Sequence, residues 1–449
     1  MKMIETAPDW KEIIKNNLEK YVEISSNPDF LEVINKCNKD YYYWDKFKYV
    51  CKLDSISPEI AWAFLRISRN YRKRKIPLID TKGNYFGYWL PDSLLKELHY
   101  LDQHASGEIL VDHPDIPSSE KDRFLVSSIM EEAIASSQLE GAVTTRKVAK
   151  EMLRFGRKPE NHSQQMCYNN YLTIRHIKDT IDKPLSIELL NSFQAAMTKN
   201  TLDDPDTSGR FRTNKDDPIE VVSQEGETLH IPPPPDELQK RMEQLCKYAN
   251  ENDNDEFTHP VVKAIILHFW LAYVHPYVDG NGRTARALFY WYMLKNKYWL
   301  TEYLSISRII KRAPAQYYKA FLYSENDEQD LTYFLSFHLR AIHLSIEELR
   351  KYLVRKTKEI KEATSSLIHY SGLNDRQSGL IYYALRNADV IYSIESHKNT
   401  CSITYETARK DLLLLEKKGL VDKFKKGKTF YYVPVKNLDK KLKLSKRNS

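Results

Sequence analysis

The segment His275–Arg286 reads HPYVDGNGRTAR and lies between two stretches that show the 3.6-residue periodicity of helices. Pro276 is predicted to end the first helix, because its ring removes a backbone donor and disfavours the helical conformation at His275. The run Gly280–Gly282 allows left-handed backbone, which points successive N–H groups at one spot. Because a helix begins directly after this run, the sequence predicts an anion-binding nest at a helix N-terminus.

Charged side chains around this nest indicate nucleotide-dependent group transfer. Arg283 and Arg286 are three residues apart, so both guanidinium groups are expected on one face of the new helix. Asp279 supplies an oxygen ligand suited to Mg²⁺, which usually takes one or two carboxylates together with phosphate oxygens. His275 is the candidate general base, because histidine exchanges protons near neutral pH. The alternative interpretation is a capped turn between two helices that carries surface charges.

The same segment resembles the signature of the Fic family, H-P-F-x-D-G-N-G-R-x-x-R, and departs from its fixed positions only at Tyr277, where the signature has Phe. This aromatic ring is expected to pack in the core, where its hydroxyl needs a partner. The resemblance implies a mainly α fold, in which a helical domain carries a β-hairpin flap. It also implies an enzyme that transfers AMP from ATP to a hydroxyl side chain of a target protein and to itself.

The resemblance also implies roles for individual residues. His275 would deprotonate the target hydroxyl, and Asp279 would hold Mg²⁺. Arg283 would stabilise the β-phosphate of ATP and Arg286 the γ-phosphate, where charge grows as pyrophosphate leaves. The expected ATP-binding residues of this loop are Asp279, Gly280, Asn281, Gly282, Arg283 and Arg286.

A second segment, SSQLEG at 136–141, resembles the family's inhibitory pattern [ST]-x-x-x-E-[GN] at Ser136, Glu140 and Gly141. It follows a helical pattern upstream of the signature. The resemblance implies that Glu140 pairs with Arg286 and so occupies the guanidinium that the γ-phosphate needs. The alternative interpretation is an ordinary helix end.

A hairpin is predicted from two short β-type runs, Ile219–Val222 and Thr228–Ile231, which the prolines at 232–235 terminate. A lone hairpin is not stable by itself, so it must lie on the helical core or on a ligand. It corresponds in place to the family's flap, on which a target protein docks by strand addition. Candidate nucleotide contacts, each with a purely structural alternative, are Thr228, Leu229, His230 and, for adenine, Tyr317.

The last 79 residues carry the basic character of the chain. Seventeen Lys and Arg stand against eight Asp and Glu from 371 to 449, a net charge of +9, whereas the other residues sum to −2. The pattern there is helix, helix, helix, hairpin, which is the order of a winged helix-turn-helix domain. The residues expected to contact DNA phosphates are Arg409, Lys410, Lys425, Lys426 and Lys428. The alternative is a protein-docking or dimerising module, and a homodimer is one form that this alternative would take.

Four regions are therefore predicted: a helical extension (1–115), a Fic domain (116–362), a winged-helix domain (371–436) and a basic tail (437–449). The function alternatives are a nucleotide-sensing, DNA-binding transcriptional regulator and an enzyme that removes AMP. The longest apolar run, 261–274, is shorter than the roughly 20 residues that a membrane span needs. We expect no membrane association and a cytoplasmic location, with which five scattered cysteines agree.

Overall fold

The fold is mainly helical, as the sequence predicts. A computed structural model describes residues 4–51, 56–106, 118–222, 226–251, 257–367, 372–386, 390–427, 429–436, 438 and 441–442. Its helices are α1 (Trp10–Asn16), α2 (Leu18–Ser25), α3 (Pro28–Asp40), α4 (Trp44–Val50), α5 (Pro58–Arg72), α6 (Asp92–Ala105), α7 (Ser118–Leu139), α8 (Arg146–Phe155), α9 (His162–Ile177), α10 (Ile187–Thr198), α11 (Leu238–Asn250), α12 (Pro260–Val274), α13 (Asn281–Lys295), α14 (Ile306–Arg312), α15 (Pro314–Asn326), α16 (Thr332–Leu367), α17 (Asp375–Arg386), α18 (Ile394–Cys401) and α19 (Tyr405–Lys417). Its strands are β1 (Arg74–Ile79), β2 (Tyr85–Tyr88), β3 (Val221–Val222), β4 (Thr228–His230), β5 (Tyr392–Ser393), β6 (Val421–Lys426) and β7 (Thr429–Pro434).

The chain divides into two compact units, each built from segments distant in sequence. Unit 1 consists of Met1–Ser106, His176–Tyr298 and Ile309–Leu344. Unit 2 consists of Gly107–Arg175, Trp299–Arg308 and Ser345–Ser449. The four regions expected from the sequence stay predictions. None of the helices in the described part of the chain combines the length and apolar character that a membrane crossing requires.

Helix α12 forms the centre of unit 1. Pro260 occupies its first turn, where a missing N–H is tolerated, and the His259 side chain accepts from the N–H of Val261 at 3.3 Å. Nearly every residue of α12 is buried, which a helix that is apolar on all faces requires. It packs against α11 and α13, so the segment between α12 and α13 rests on a rigid core.

The amino-terminal helices of unit 1 pack through aromatic side chains and a buried cation. Phe47 and Trp62 lie with ring centroids 5.3 Å apart. The fully buried Arg66 of α5 pairs with Asp327 at 2.9 Å and with Asp330 at 3.5 Å. Separating these residues would leave an uncompensated buried charge, which is costly in free energy. The ion pairs therefore hold α5 against the chain that follows α15.

The carboxy-terminal part of unit 2 has the element order helix, strand, helix, helix, hairpin. The sequence pattern predicts this order without β5. In the structure, Tyr392 of β5 pairs with Tyr432 in a sheet ordered β5-β7-β6. Asp411 of α19 is buried and accepts from Gln377 at 2.9 Å and from His397 at 3.0 Å, which ties three helices together. Naming this fold a winged helix stays a prediction.

Two features of unit 2 were not anticipated. The small and polar stretch 361–372 predicts a linker, but α16 continues as a helix to Leu367. Helix α18 packs on α7 and α8, and the Nε of Arg154 donates to Thr400 at 3.2 Å. The described carboxy-terminal elements therefore belong to unit 2.

Candidate active site in unit 1

The loop between α12 and α13 begins and ends in left-handed backbone. His275 has φ 48° and its N–H donates to Leu271 at 3.0 Å, so it closes α12. Gly280 has φ 84°, and a Cβ placed there would lie 2.8 Å from a methyl group of Thr198. Position 280 therefore needs glycine on two grounds, its backbone conformation and the close approach of α10.

The left-handed stretch is shorter than the sequence analysis expected. It was predicted across Gly280–Gly282, but only Gly280 of that run has positive φ, because α13 already begins at Asn281. The side-chain amide of Asn281 is committed to Tyr277: its Nδ2 donates to the Tyr277 carbonyl at 2.7 Å, and its Oδ1 accepts from the Tyr277 N–H at 2.9 Å. A phosphate contact of Asn281 would therefore come from its backbone N–H at the helix N-terminus.

The two arginines of α13 lie in different surroundings. Arg283 is 1% exposed and donates to the Met197 carbonyl at 2.9 Å and to Asp279 at 2.9 Å. In this conformation Arg283 joins α13 to the end of α10 and holds the Asp279 carboxylate. Its predicted contact with the β-phosphate stays a prediction.

Arg286 is buried beside the histidine of α12. Burial lowers the pKa of His268 well below its ordinary value, and His338 and Arg286 lower it further. His268 Nε2 lies 3.0 Å from the hydroxyl of Tyr317, whose ring is buried among other aromatic rings. Tyr317 is thus part of the core next to Arg286, and its predicted contact with adenine stays a prediction.

Tyr277, the departure from the Fic signature, finds the partner that its hydroxyl needs. Its ring is buried and lies 5.6 Å from that of Phe211, and its hydroxyl donates to Asn191 at 3.0 Å. Burial raises the pKa of this phenol. The substitution therefore keeps the packing of the loop and adds one hydrogen bond to α10.

Two residues that hold the loop were not identified from the sequence. Arg212 donates from Nε to the carbonyl of His275 at 2.9 Å and from its backbone N–H to that of Pro276 at 2.8 Å. Gln194 of α10 is fully buried and donates to the carbonyl of Asp279 at 3.0 Å. The GRFR stretch at 209–212 is a sequence pattern that draws attention to Arg212. No such pattern surrounds Gln194, which is one polar residue on an amphipathic helix.

The predicted flap is present as β3 and β4, with Val221 paired to His230 and Val222 to Thr228. Its turn at 223–225 lies outside the described residues. His230 contacts Glu325 through Nδ1 at 2.7 Å and the Tyr273 carbonyl through Nε2 at 2.7 Å. The flap is therefore fastened at His230 to α15 and to the end of α12.

The other two flap residues singled out have different surroundings. Thr228 is exposed and its hydroxyl donates to Glu220 at 2.6 Å, while Leu229 is half-buried. Nucleotide contacts of Thr228, Leu229 and His230 stay predictions. Because both ring nitrogens of His230 already have protein partners, its observed contribution is to position the flap.

A magnesium ion fits this loop only together with a nucleotide. The described residues include no group of three or more His, Cys, Asp or Glu side chains placed to hold a metal. Asp279 alone offers a carboxylate here, half-exposed, with Oδ1 accepting from the Gly280 N–H and Oδ2 paired with Arg283. This donor set suits Mg²⁺ with phosphate oxygens as the other ligands.

The predicted inhibitory residues lie at the end of α7 in unit 2. Ser136 is buried, and Glu140 is exposed one residue beyond the helix. Gly141 has φ 90° and the Ala142 N–H returns to the Ser137 carbonyl at 3.0 Å, which is a left-handed helix ending. Arg286 belongs to unit 1, and its pairing with Glu140 stays a prediction.

The basic residues predicted to meet DNA are only partly described. Arg409 and Lys410 are exposed on α19, and Arg409 lies 3.4 Å from Glu406. Lys425 is exposed on β6, with its Nζ 5.6 Å from the centre of the Phe430 ring. Lys428 and the side chain of Lys426 lie outside the described residues. DNA contacts by this set stay a prediction.

Part of this chain is similar in sequence to known proteins. Residues 184–293 match the family model described as Fic/DOC family. A protein adenylyltransferase Fic from Nematostella vectensis is 44% identical over 59 residues, 13% of this chain and 14% of the relative. One from Drosophila melanogaster is 38% identical over 85 residues, 19% of this chain and 15% of the relative. The alignments therefore span about one seventh of the length of these curated relatives.

Among solved structures, the crystal structure of a Fic family protein from Desulfovibrio desulfuricans G20 is similar over 77% of this chain and 96% of that chain, with 19% sequence identity and a TM-score of 0.47. The matched family model spans the flap, α12, the loop and nearly all of α13. The part of this chain that is similar to the Fic/DOC family is therefore residues 184–293.

Proposed function

We propose that this chain is a protein adenylyltransferase that moves AMP from ATP onto a hydroxyl side chain of a target protein and onto itself. The observation that carries the proposal is the loop from His275 to Asn281, which joins a candidate base at the end of α12 to the N-terminus of α13. The relatives named protein adenylyltransferase Fic support the same activity.

In this reaction His275 accepts the proton of the target hydroxyl as its oxygen bonds to the α-phosphorus of ATP. The bond from that phosphorus to the bridging oxygen breaks, and pyrophosphate leaves. The N-terminus of α13 and the guanidinium of Arg286 meet the negative charge that develops on the leaving group. The carbonyl contacts of Arg212 keep the base in place during this step.

Asp279 would hold Mg²⁺ against the nucleotide phosphates, and the ion would supply charge neutralisation there. Its half-exposed carboxylate supports this role. The Arg283 guanidinium that contacts Asp279 would keep the carboxylate oriented.

The flap would present the target segment to this site. Strand β3 is two residues long and β4 three, and Val222 and Ile231 are exposed apolar residues beside them. An extended peptide that adds to such a hairpin gains main-chain hydrogen bonds and covers these side chains. The His230 contacts fix the flap relative to the loop that carries His275.

Autoinhibition by Glu140 is part of the proposal. An acidic residue at a helix C-terminus is opposed by the helix dipole, an effect of roughly 0.3–1 kcal/mol. Glu140 follows α7 directly, so it is placed against this local preference. A role in pairing with Arg286, and so in excluding the γ-phosphate, accounts for a carboxylate at this position.

A second candidate function is DNA binding by a regulator whose Fic domain senses nucleotide. The exposed Arg409 and Lys410 on α19 favour it, because cations along one exposed helix suit phosphate contacts. Removal of AMP from a modified protein, with Glu140 orienting a water, is the alternative chemistry. A protein-docking or dimerising role of the same elements would give a homodimer.

The test uses the purified full chain with labelled ATP and Mg²⁺. We expect self-labelling, and His275→Ala should lower its rate by roughly 10²–10⁴-fold, the usual effect of losing a general base. His176→Ala is the matched control, because that histidine is exposed and its Nδ1 lies 2.9 Å from the exposed Asp179 carboxylate. Labelling by His275→Ala at the wild-type rate contradicts the proposal, as does a wild-type protein that labels neither itself nor any protein of a host lysate.

A further inference from the structure

A polar cavity in unit 2 is lined by residues of α7, α8, α14, α16 and the turn before α14. Its volume is about 290 Å³. The charged residues of its wall are five cations and two carboxylates, an excess of three positive charges. We name it the basic cavity and define it by Glu131, Arg146, Lys150, Arg308, Lys351 and Arg355.

One carboxylate contacts two of these five cations. Glu131 is nearly buried, accepts from the Nε of Arg146 at 2.6 Å and contacts the Nζ of Lys150 at 2.8 Å. Burial alone would raise the pKa of Glu131, but Arg146 and Lys150 lower it below its ordinary value. Lys150 also donates to Ser127 at 3.2 Å, so its ammonium group is held at the wall by two partners.

The opposite wall is built by α16 and by the segment around α14. Arg308 pairs with Glu348 at 3.5 Å, and the Arg355 guanidinium lies 5.6 Å from the ring centre of Tyr352. Serine and tyrosine residues also line the cavity, so hydroxyl and cationic donors belong to the wall of one concave space. Two carboxylates do not balance five cations, and a concave surface with one excess sign concentrates ions of the opposite sign.

We propose that the basic cavity binds a small, multiply charged anion of the phosphate class, either a free oligophosphate or a phosphorylated metabolite. Arginine forks and lysine ammonium groups together with hydroxyl donors are the groups that recognise phosphate oxygens. The volume admits a compact ligand and excludes a folded macromolecule.

The position of the basic cavity gives this binding a regulatory meaning that rests on the proposed function. Ser127 and Glu131 belong to α7, and Glu140 follows the end of that helix. A bound anion would therefore contact the helix that leads to the inhibitory carboxylate. The binding test below does not depend on AMP transfer, so a failure of either idea is recognised separately.

The experiment is calorimetric titration of inorganic pyrophosphate into the full chain in the Arg286→Ala background, which disables the phosphate site of unit 1. We expect saturable binding that weakens at least about tenfold in Lys351→Gln/Arg355→Gln, because two charged donors are lost. The matched control is Arg340→Gln/Lys240→Gln, which removes two exposed cations of unit 1 and should leave the affinity unchanged.

A second arm titrates a sugar bisphosphate. Tighter binding than pyrophosphate identifies a phosphorylated metabolite as the ligand class, and equal binding identifies a free oligophosphate. Absence of saturable binding for both probes overturns the proposal. Equal pyrophosphate affinity in the cavity variant and in the control variant overturns it as well, provided that circular dichroism shows both variants folded.

Discussion

The Arg212 guanidinium donates from Nε to the carbonyl oxygen of His275 at 2.9 Å, across 63 residues of sequence. The same side chain donates to the Pro233 carbonyl, so it joins the base of the flap to the residue that begins the loop between α12 and α13. Burial lowers the pKa of this guanidinium. Arg212 therefore links the base of the flap at Pro233 to His275 through one side chain.

Replacing Arg212 should therefore disturb both stability and transfer. Arg212→Gln leaves buried carbonyls without their donor, which should lower the free energy of unfolding by about 1–3 kcal/mol. Chemical denaturation and self-labelling measure the two effects. The control is Arg210→Gln, whose partly exposed guanidinium pairs with Asp216 at 2.8 Å and should contribute at most about 1 kcal/mol. Equal effects of the two substitutions contradict the positioning role of Arg212.

Glu140→Gly should raise self-labelling above wild type, because it removes the carboxylate proposed to occupy Arg286. Arg286→Ala should lower it, since that guanidinium orients the triphosphate even without the inhibitor. The double variant should behave like Arg286→Ala alone, which is strong non-additivity between residues of one interaction. Autoradiography at matched ATP and Mg²⁺ measures all three.

The control for the inhibitory residue is Glu160→Gln, an exposed glutamate of the same unit. It should leave labelling unchanged. If Glu140→Gly labels no faster than wild type while the His275 base is intact, the SSQLEG segment is an ordinary helix end.

Tyr277→Phe restores the residue of the Fic signature and should retain AMP transfer. The hydroxyl that donates to Asn191 is lost, which should reduce the free energy of unfolding by about 0.5–1.5 kcal/mol. Thermal or urea unfolding with parallel labelling separates the effects. A loss of activity larger than the loss of folded protein would mean that the phenol has a part in the reaction.

His230 should make flap anchoring dependent on pH. Burial would lower its pKa, but Glu325 and the Tyr273 carbonyl raise the pKa above its ordinary value. Such a group contributes its full stability below the unfolded pKa of about 6.5, and the contribution is lost as pH rises through the folded pKa. Unfolding measured from pH 5.5 to 9 should show this loss in wild type and not in His230→Gln. Identical pH profiles for the two proteins would exclude a charged His230 in the folded state.

DNA binding by the carboxy-terminal elements should depend steeply on salt, because each phosphate contact releases counterions. Substitution is a better test than truncation, since deletion would uncover the faces of α7 and α8 on which α18 packs. The test variant changes Arg409, Lys410 and Lys425 to Gln, and the control changes Lys215, Lys240 and Lys247 to Gln. Anisotropy of a labelled duplex at 50 and 200 mM salt should show weaker binding only in the test variant. Equal affinity of both variants contradicts a DNA role for this surface.

The sequence by itself determined the local conformation of the loop and the helical class. HPYVDGNGRTAR is contiguous, so its proline, glycines and charged residues specify a helix end, a left-handed turn and a helix start from local interactions alone. Periodicity likewise identified α12 as a buried helix, because its apolar residues surround the axis. The hairpin and the element order after residue 372 followed from short-range turn and strand signals.

Tertiary structure alone decided which groups hold those elements in place. The contacts of Gln194 with Asp279 and of His230 with Glu325 join residues 85 and 95 positions apart. The packing of α18 on α8 also depends on neighbours distant in sequence. Local propensity fixes where a helix begins or turns, whereas the partner of a buried polar group depends on which helices pack together. That packing arises from the summed burial of the whole chain.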